Sequence, residues 1–358
     1  MTNQATKRTG PDASYDDLSF SLKRWLSSDG NLTRLFVIMV LVFITMTILS
    51  PGTFLTLDSF SSMAFQFPVL GILSLAMMLT MVSGGIDLSI VGIANLTSIL
   101  AAMVMVRLVP EGASAGTSLL YMLLGIVCAL IVGGLCGLLN GFAVAKIGIP
   151  PILVTLGSMQ LFMGLAIVIT KGQAVVGLPE QFSTIGNGSL IGIPVPLLIF
   201  TLCVVAAYLL LNRRPYGMKL QLLGSNPTAS RYGGINNTVV LLKTYAFSGL
   251  LASIAGLVMI ALTNSAKADY GTSYILQAIL VVVLGGVNPN GGFGKIAGVV
   301  MAVLTLQFLS SGLNALHVGN FFKDFIWGIV LILVMVINAV SPRLKWKRRS
   351  ARSSSSSS

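Results

Sequence analysis

Charged side chains are scarce in this chain. Asp, Glu, Lys and Arg make up 9% of its 358 residues and hydrophobic residues 55%, whereas about 25% of an average soluble protein is charged. The mean hydropathy is +0.91. So little polar surface cannot cover a water-soluble domain of this length. Despite a net charge of +12, the scarcity excludes a soluble enzyme and a soluble nucleic-acid-binding protein, and it indicates a polytopic membrane protein.

Residue types that carry catalysis or bind metal ions are also few. The sequence contains one histidine, His317, and three cysteines, which lie in apolar runs without the spacing of metal ligands. No nucleophile and base stand in a recognisable arrangement. The ATP-binding pattern G-x-x-x-x-G-K-[ST] fails next to Lys295, because Pro289 and Ile296 occupy two of its fixed positions. We therefore predict no ATP site, no metal site, no cofactor and no enzymatic activity.

Long apolar runs dominate the sequence. A helix needs about 20 predominantly apolar residues to cross a bilayer. Ten segments approach this length, although several are short or interrupted by glycine. They cover roughly residues 34–50, 63–83, 88–106, 118–143, 150–170, 191–211, 241–263, 273–287, 294–313 and 321–340. The predicted fold is an all-α, polytopic membrane helix bundle of about ten spans, including the glycine-broken segments.

The basic residues predict how these spans are oriented. If all ten segments cross and the N-terminus is cytoplasmic, 18 of the 22 Lys and Arg residues lie on the cytoplasmic side, as the positive-inside rule requires. Both termini are then cytoplasmic. The predicted organisation is an N-terminal arm (1–33), a transmembrane domain (34–340) with a long inner loop (213–243), and a basic, Ser-rich tail (341–358). Without interleaved aromatic residues, the positive charge does not indicate a nucleic-acid surface.

Two glycine-rich breaks interrupt the apolar runs, at residues 83–89 and 284–294. Paired breaks point to a transport pathway, because freed backbone polar groups must be packed in protein or line a cavity. The first break holds Asp87, the only carboxylate deep in an apolar stretch, which is either functional or an N-cap for the next helix. The pathway candidates in the two breaks are Gly84, Gly85, Asp87, Ser89, Gly285, Gly286 and Asn288.

The long inner loop is predicted to contain a short helix. Asn226 followed by Pro227 suits a helix start, with the asparagine as cap and the proline at the first position. Gly233 and Gly234 end the helix about two turns later. Ala229 leaves its centre small, which suits docking into the groove of a partner. A plain connecting helix at the membrane surface explains the composition equally well.

Four motifs stand in a specific order along the chain. They are Gly84-Gly85-Ile86-Asp87-Leu88-Ser89, Pro150-Pro151 through Thr155-Leu156-Gly157, the 226–235 segment, and Val283-Leu284-Gly285-Gly286 with Gly291-Gly292-Phe293-Gly294. From about residue 50 to 340 the chain resembles the membrane permeases of ABC importers for ribose and other monosaccharides, a group that includes the autoinducer-2 permeases. The closing Gly312-Leu313-Asn314 fits this resemblance as well.

The resemblance implies a multi-pass permease subunit in a bacterial-type inner membrane, surrounded by lipid and paired with a second copy or a sister permease. Two cytoplasmic ATPase subunits and a soluble external substrate-binding protein complete such importers, with no role for nucleic acid. The short inner helix is then the coupling helix that seats in the ATPase. Its expected residues are Gly224, Asn226, Pro227, Ala229, Gly233, Gly234 and Ile235, and further pathway candidates are Asn95, Asn140, Thr155 and Gln160.

Other functions stay open at this point. An ion-coupled secondary transporter predicts buried coupling carboxylates and usually more spans, whereas a passive channel gives no reason for a small-centred helix in the inner loop. A role in interhelical hydrogen bonding is the simpler explanation for the polar candidates Asn95, Asn140, Thr155, Gln160 and Asn288. The chain departs from the ribose permeases at Ile90-Val91-Gly92, Met163-Gly164 and Lys323-Asp324. The expected solute is therefore a monosaccharide or a related polyol or furanose, not ribose in particular.

Overall fold

The computed structural model describes residues 30–110, 114–319 and 322–336, which are mostly helical. The helices are α1 (Gly30–Leu49), α2 (Pro51–Phe54), α3 (Leu57–Val82), α4 (Ile90–Arg107), α5 (Ala115–Phe142), α6 (Pro151–Thr170), α7 (Glu180–Asn187), α8 (Val195–Tyr208), α9 (Pro215–Ser225), α10 (Pro227–Tyr232), α11 (Asn237–Thr263), α12 (Tyr274–Leu284), α13 (Ile296–Ala315) and α14 (322–336). Helices α5 and α8 each continue into a π-helical turn, at Ala143–Ile147 and Leu209–Arg213.

Four two-residue strands close the loops between helices. β1 (Val175–Val176) pairs antiparallel with β4 (Ser265–Ala266), and this pairing ties the loop after α6 to the loop after α11. β2 (Ser189–Leu190) and β3 (Ile193–Pro194) form a small hairpin directly before α8.

The predicted all-α membrane bundle is confirmed. Among the described residues, eight helices are long and apolar enough to cross a membrane: α1, α3, α4, α5, α6, α8, α11 and α13. The two remaining predicted spans correspond to α12, which has 11 residues, and to α14, of which residues 322–336 are described. The total of ten crossings and the cytoplasmic termini stay predictions. Most of the predicted N-terminal arm and all of the predicted tail lie outside the described residues.

Helix α3 forms the centre of the bundle. In its most apolar window 89% of the residues are buried, compared with 17% for α1 and 22% for α6. It packs against α8, α11, α12 and α13. The other helices therefore surround α3, and α1 and α6 lie at the periphery, where apolar side chains can face lipid. The break that follows α3 is consequently held in the middle of the protein.

Small residues bring α5 and α11 into backbone contact. A Cβ added to Gly137 would lie 2.1 Å from the carbonyl oxygen of Tyr245, and one added to Gly249 would lie 2.1 Å from that of Gly133. Helices associate in lipid by such close approach, because lipid provides no hydrophobic force between them. Gly133, Gly137 and Gly141 lie at i, i+4 and i+8 on one face of α5, and this glycine stripe serves helix packing. It positions α11, which begins just after the short helix α10.

The variant Gly137→Leu should therefore destabilise the fold. Overpacking a contact of this kind costs about 1–3 kcal/mol, so we expect the midpoint of thermal unfolding in detergent to fall by roughly 3–10 °C. Gly134→Leu is the matched control, because a Cβ on Gly134 meets Leu250 side-chain atoms at 3.5 Å, an ordinary contact. Equal melting temperatures for the two variants would refute the proposed role of the stripe.

Candidate functional site

The short helix of the inner loop forms as the sequence predicts. The side-chain oxygen of Asn226 accepts hydrogen bonds from the amides of Thr228 and Ala229, each at 3.0 Å, and Pro227 occupies the first helical position. The helix α10 ends at Tyr232, and the glycine pair follows, with Gly234 at φ 78°. The predicted cap and the predicted stop are both confirmed.

Helix α10 has one exposed side, and its opposite, buried side is hydrogen-bonded to the start of α11. Ala229 is exposed, and Tyr232 is 90% exposed. On the buried side, the Ser230 hydroxyl donates to Asn237 Oδ1 at 2.9 Å, and Asn237 Nδ2 donates to the carbonyl of Pro227 at 2.8 Å. Since Asn237 is the first residue of α11, a displacement of α10 must displace the start of that long helix.

A cleft of about 780 Å³ lies beside α10. The π-helical turn after α5 forms one wall with Val144 and Ala145, and the start of α11 forms another with Leu241. The remaining lining residues are Pro227, Thr228, Arg231, Tyr232, Gly234, Ile235, Asn236, Asn237 and Thr238. The predicted Ile235 thus belongs to the cleft, while its amide donates to the carbonyl of Ser230 and closes the turn after the helix.

The two glycine-rich breaks have the same local structure. Each begins with a glycine of positive φ, Gly84 at 88° and Gly286 at 81°. In each, the residue after that glycine donates its amide to the carbonyl five residues earlier, which satisfies the end of the preceding helix. Each break also contains a side-chain oxygen that accepts a hydrogen bond from the amide two residues later. This acceptor is Asp87 Oδ1 in the first break and Asn288 Oδ1 in the second. The two breaks thus end their preceding helices in the same way and are stabilised by similar side-chain contacts.

These breaks meet the end of α9 at one point, which we call the glycine junction: Val82, Gly84, Gly224, Gly291 and Gly292. The amide of Gly292 donates to the carbonyl of Val82 at 2.9 Å. A Cβ added to Gly224 would lie 2.0 Å from that carbonyl oxygen and 2.5 Å from the Gly292 nitrogen. A Cβ on Gly291 would lie 2.7 Å from Gly84 Cα. The junction is therefore main chain against main chain.

Gly85 and Gly285 pack elsewhere. A Cβ on Gly85 would lie 2.7 Å from the Tyr245 hydroxyl and 3.0 Å from Pro151, and one on Gly285 would lie 2.9 Å from Gly298. The first contact holds the first break against α11 and α6, and the second holds the second break against α13. Both glycines are required for close approach to a neighbouring helix.

Asp87 links the first break to α5 and α11. The residue is fully buried. Its Oδ2 accepts from the Ser248 hydroxyl at 2.8 Å, and its Oδ1 accepts from the Ser89 amide at 3.1 Å and the Ser89 hydroxyl at 2.5 Å. Asn140 Nδ2 donates to the Ser89 hydroxyl at 2.7 Å. Helix α4 begins at Ile90, and Ser89 before it has helical backbone angles and makes no side-chain cap hydrogen bond. Asp87 therefore makes the predicted capping contact, through the Ser89 amide, as well as the bond to Ser248.

Two buried polar atoms in this region lack a partner among the described residues, Asn140 Oδ1 and the Tyr245 hydroxyl. Such atoms are uncommon in folded proteins, because an unsatisfied buried polar group is costly. They lie around the Asp87 network, where three helices and a break meet.

The other pathway candidates do not gather at this network as a group. Thr155 joins it, because its hydroxyl donates to the carbonyl of Ile86 at 3.0 Å. Asn95 instead donates to the carbonyl of Ala268, at 2.7 Å, in the loop after β4. Gln160 is exposed on the surface of α6. The predicted set is thus distributed over the break, the opposite loops and the bundle surface.

The sequence analysis missed a polar cavity on the side of the bundle opposite to α10. Its volume is about 470 Å³, and it lies between the ends of α3, α11, α12, α13 and α14. It includes three glutamines from otherwise apolar helices, Gln66, Gln277 and Gln307. An isolated glutamine in an apolar run was the available signal, but nothing in the sequence indicates that three of them share one cavity.

The chain matches known permeases. The family described as branched-chain amino acid transport system / permease component matches residues 59–335. The autoinducer 2 import system permease protein LsrD of Yersinia enterocolitica is 35% identical over 282 residues, which cover 77% of this chain and 82% of that protein. The LsrD proteins of Yersinia pseudotuberculosis and Yersinia pestis are 34% and 33% identical over 77% of this chain and 81% of theirs. No solved structure matches.

Proposed function

This chain belongs to the permease family of ABC importers, and from that membership we propose that it moves a monosaccharide or a related polyol or furanose across the inner membrane. As a multi-pass permease subunit it is a transport component, and the ATPase is a separate chain. Family membership decides against the ion-coupled secondary transporter and the passive channel. The solute class is supported by the relatives, whose names assign them to autoinducer 2 import.

The observation that carries the coupling role is the exposed helix α10. Importers of this family work with an ATPase and a substrate-binding protein, and a docking element must be both accessible and rigidly attached. Helix α10 meets both requirements, since Ala229 is exposed while Ser230 and Asn237 bind the helix to α11. A small residue at the centre of a short helix lets it enter a groove closely. We assign α10 and its cleft to ATPase contact, on the cytoplasmic side that the basic residues favour.

The exposed surface of α6 has features that favour contact with a second permease subunit. Helix α6 packs mainly on α4 and is otherwise exposed. Gly157 and Gly164 have no atom within 4 Å of an added Cβ, and Gln160 lies between them. Small residues permit close helix approach in lipid, and a polar side chain needs a partner there. This surface suits a partner helix or the pathway between two subunits.

The contacts define how ATP-driven motion would reach the pathway. ATP binding would close the two ATPase subunits and displace α10, and with it the start of α11 through Asn237. Helix α11 carries Ser248, which holds Asp87 of the first break. Helix α9, which directly precedes α10, carries Gly224 into the glycine junction. A movement of α10 therefore acts on both breaks, which would re-orient the spans from inward- to outward-facing. The solute would enter in that state and leave inward on ATP hydrolysis.

Crosslinking at position 229 tests this function. With Cys128, Cys136 and Cys203 replaced by serine, Ala229→Cys should crosslink to an ATPase when the chain is purified from its native membranes and the products are identified by mass spectrometry. Ile191→Cys is the matched control, because Ile191 is 94% exposed in the β2–β3 turn, which we place on the opposite side of the membrane. A chain that purifies alone and mediates uptake without ATP would refute the importer assignment.

A further inference from the structure

The polar cavity opposite to α10 lies within a single subunit. Gln66 contributes from α3, Gln277 from α12, Gln307 and Asn314 from α13, and Trp327 from α14. Its volume of about 470 Å³ falls in the range of small-molecule pockets, on the order of 300–1,000 Å³. By the orientation proposed above, the cavity faces outward, where a binding protein delivers its solute.

An unpartnered amide points to a ligand in this cavity. Gln307 is buried, with 7% of its surface exposed, yet no hydrogen bond between described residues ends on its side-chain amide. Gln277 on the neighbouring helix α12 is half-buried, and its side-chain amide likewise has no hydrogen bond to a described residue. Neither amide is among the fully buried polar atoms that lack a partner, so both face the open volume of the cavity and can bind a molecule there. Two amides that face the same cavity can supply donors and acceptors to the hydroxyl groups of a solute.

The charges of the lining favour a neutral solute. Lys323 and Asp324 are the charged residues among those that line the cavity, and their signs are opposite. Both are engaged by neighbours, since Lys323 Nζ donates to Asn314 Oδ1 and Asp324 Oδ2 accepts from the Ser273 hydroxyl at 3.3 Å. A site with no net charge gives no electrostatic preference to a phosphate or carboxylate over an uncharged molecule.

The aromatic lining supplies apolar surface. Trp327, Tyr270 and Tyr274 line the cavity together with the amides. A small-molecule site typically combines such apolar surface with a few placed polar groups. A monosaccharide or cyclic polyol offers a matching pair of features, an apolar face of C–H groups and a rim of hydroxyls.

We propose that this cavity binds one neutral, polyhydroxylated solute of monosaccharide size, as an entry site within the individual permease subunit. The proposal rests on the proposed function, because it assigns the transported solute class to a particular place. It differs from the proposed function in one respect: each subunit binds solute in its own cavity, separate from any pathway between two subunits.

Cysteine protection in the assembled importer tests the entry site. In the cysteine-free chain, Ser310→Cys places a thiol in the cavity lining, and a membrane-impermeant maleimide is added to right-side-out vesicles. The probes are D-ribose, D-xylose, D-glucose and myo-inositol, with sodium glutamate as a charged comparison. A solute at about four times its Kd should slow labelling about fivefold, because about a fifth of the sites stay free. Labelling of Ile191→Cys should not change.

Two outcomes would overturn the entry site. Absence of labelling at Ser310→Cys, with normal labelling at Ile191→Cys, would show that the cavity is closed to the outer solution. Labelling that none of the four neutral probes slows, or that glutamate slows equally, would show that the cavity does not select polyols. An intact ATPase crosslink at position 229 in that case would leave the proposed function standing.

The amide itself is tested by Gln307→Leu in the Ser310→Cys background. With protection expressed relative to each variant's own labelling rate without solute, we expect a rise of about tenfold in the solute concentration needed for protection, since the lost hydrogen bonds are not replaced. Gln173→Leu is the matched control, because Gln173 is an exposed amide in the loop after α6. Unchanged protection in Gln307→Leu would contradict the assignment of this amide.

Discussion

Replacing Ala229 by glutamate is expected to abolish uptake while the chain still inserts in parental amounts. Ala229 is exposed on α10, so the substitution disturbs no internal contact of the subunit. In the docked complex that we propose, however, it places a carboxylate in a groove that would accommodate a methyl group. An unpaired charge at such a contact costs about 3 kcal/mol or more, which corresponds to a loss of affinity of about a hundredfold or more.

Solute uptake by whole cells and membrane quantity by immunoblot measure this result. Ala174→Glu is the matched control, since Ala174 is also an exposed alanine but lies in the loop after α6, away from α10. That control should transport normally. Uptake at the parental rate in Ala229→Glu would remove α10 from the ATPase contact, whereas loss of the protein from the membrane would assign Ala229 a role in folding instead.

Replacing Gly224 by alanine is expected to uncouple ATP hydrolysis from uptake. The added methyl would lie 2.0 Å from the carbonyl oxygen of Val82, so α9 and the first break must separate. Overpacking of this kind costs about 1–3 kcal/mol, and the hydrogen bond from the Gly292 amide to Val82 lies in the same contact. We expect uptake to fall by about tenfold or more, while α10 remains free to bind the ATPase.

The measurement compares uptake with ATP hydrolysis in vesicles that contain the complete importer. Gly134→Ala is the control, because an added methyl there meets only ordinary contacts. The ATPase crosslink at position 229 should persist in Gly224→Ala. If uptake and hydrolysis fall together, the variant has lost assembly, and if neither falls, the glycine junction does not transmit the motion.

Features that depend on one segment could be predicted from the sequence of this protein, whereas contacts between distant segments could not. Hydropathy located the long helices, because a span of about 20 apolar residues is a property of one segment. The cap of α10 was predictable for the same reason, since Asn226 bonds to amides two and three residues away. Both glycine breaks were visible as interruptions of apolar runs. Contact between Gly224 and Gly292 depends on how three separate helices pack, and no local pattern encodes it.

The same limit of prediction from sequence applies to the candidate functional residues Asp87 and Gln307. A carboxylate before a helix predicts a cap as readily as a functional site. Its local bond to the Ser89 amide was predictable, but its other partner, Ser248, lies 161 residues away. Gln307 is one amide in an apolar helix, and its significance depends on the neighbouring Gln277 and Trp327 from two other helices. Side chains that act together across a bundle are separated in the sequence by the intervening spans.

The main-chain nature of the glycine junction has a consequence for how such a permease diversifies. A side-chain contact must be rebuilt when either partner changes, but the junction requires only that Gly224, Gly291 and Gly292 lack a side chain at the places of closest approach. On the mechanism that we propose, the surrounding sequence can change while the junction still transmits the motion of α10. Solute preference can then evolve at the opposite end of the molecule as an independent trait. Exchanging the outer halves of two such permeases would be a practical route to importers with new cargo.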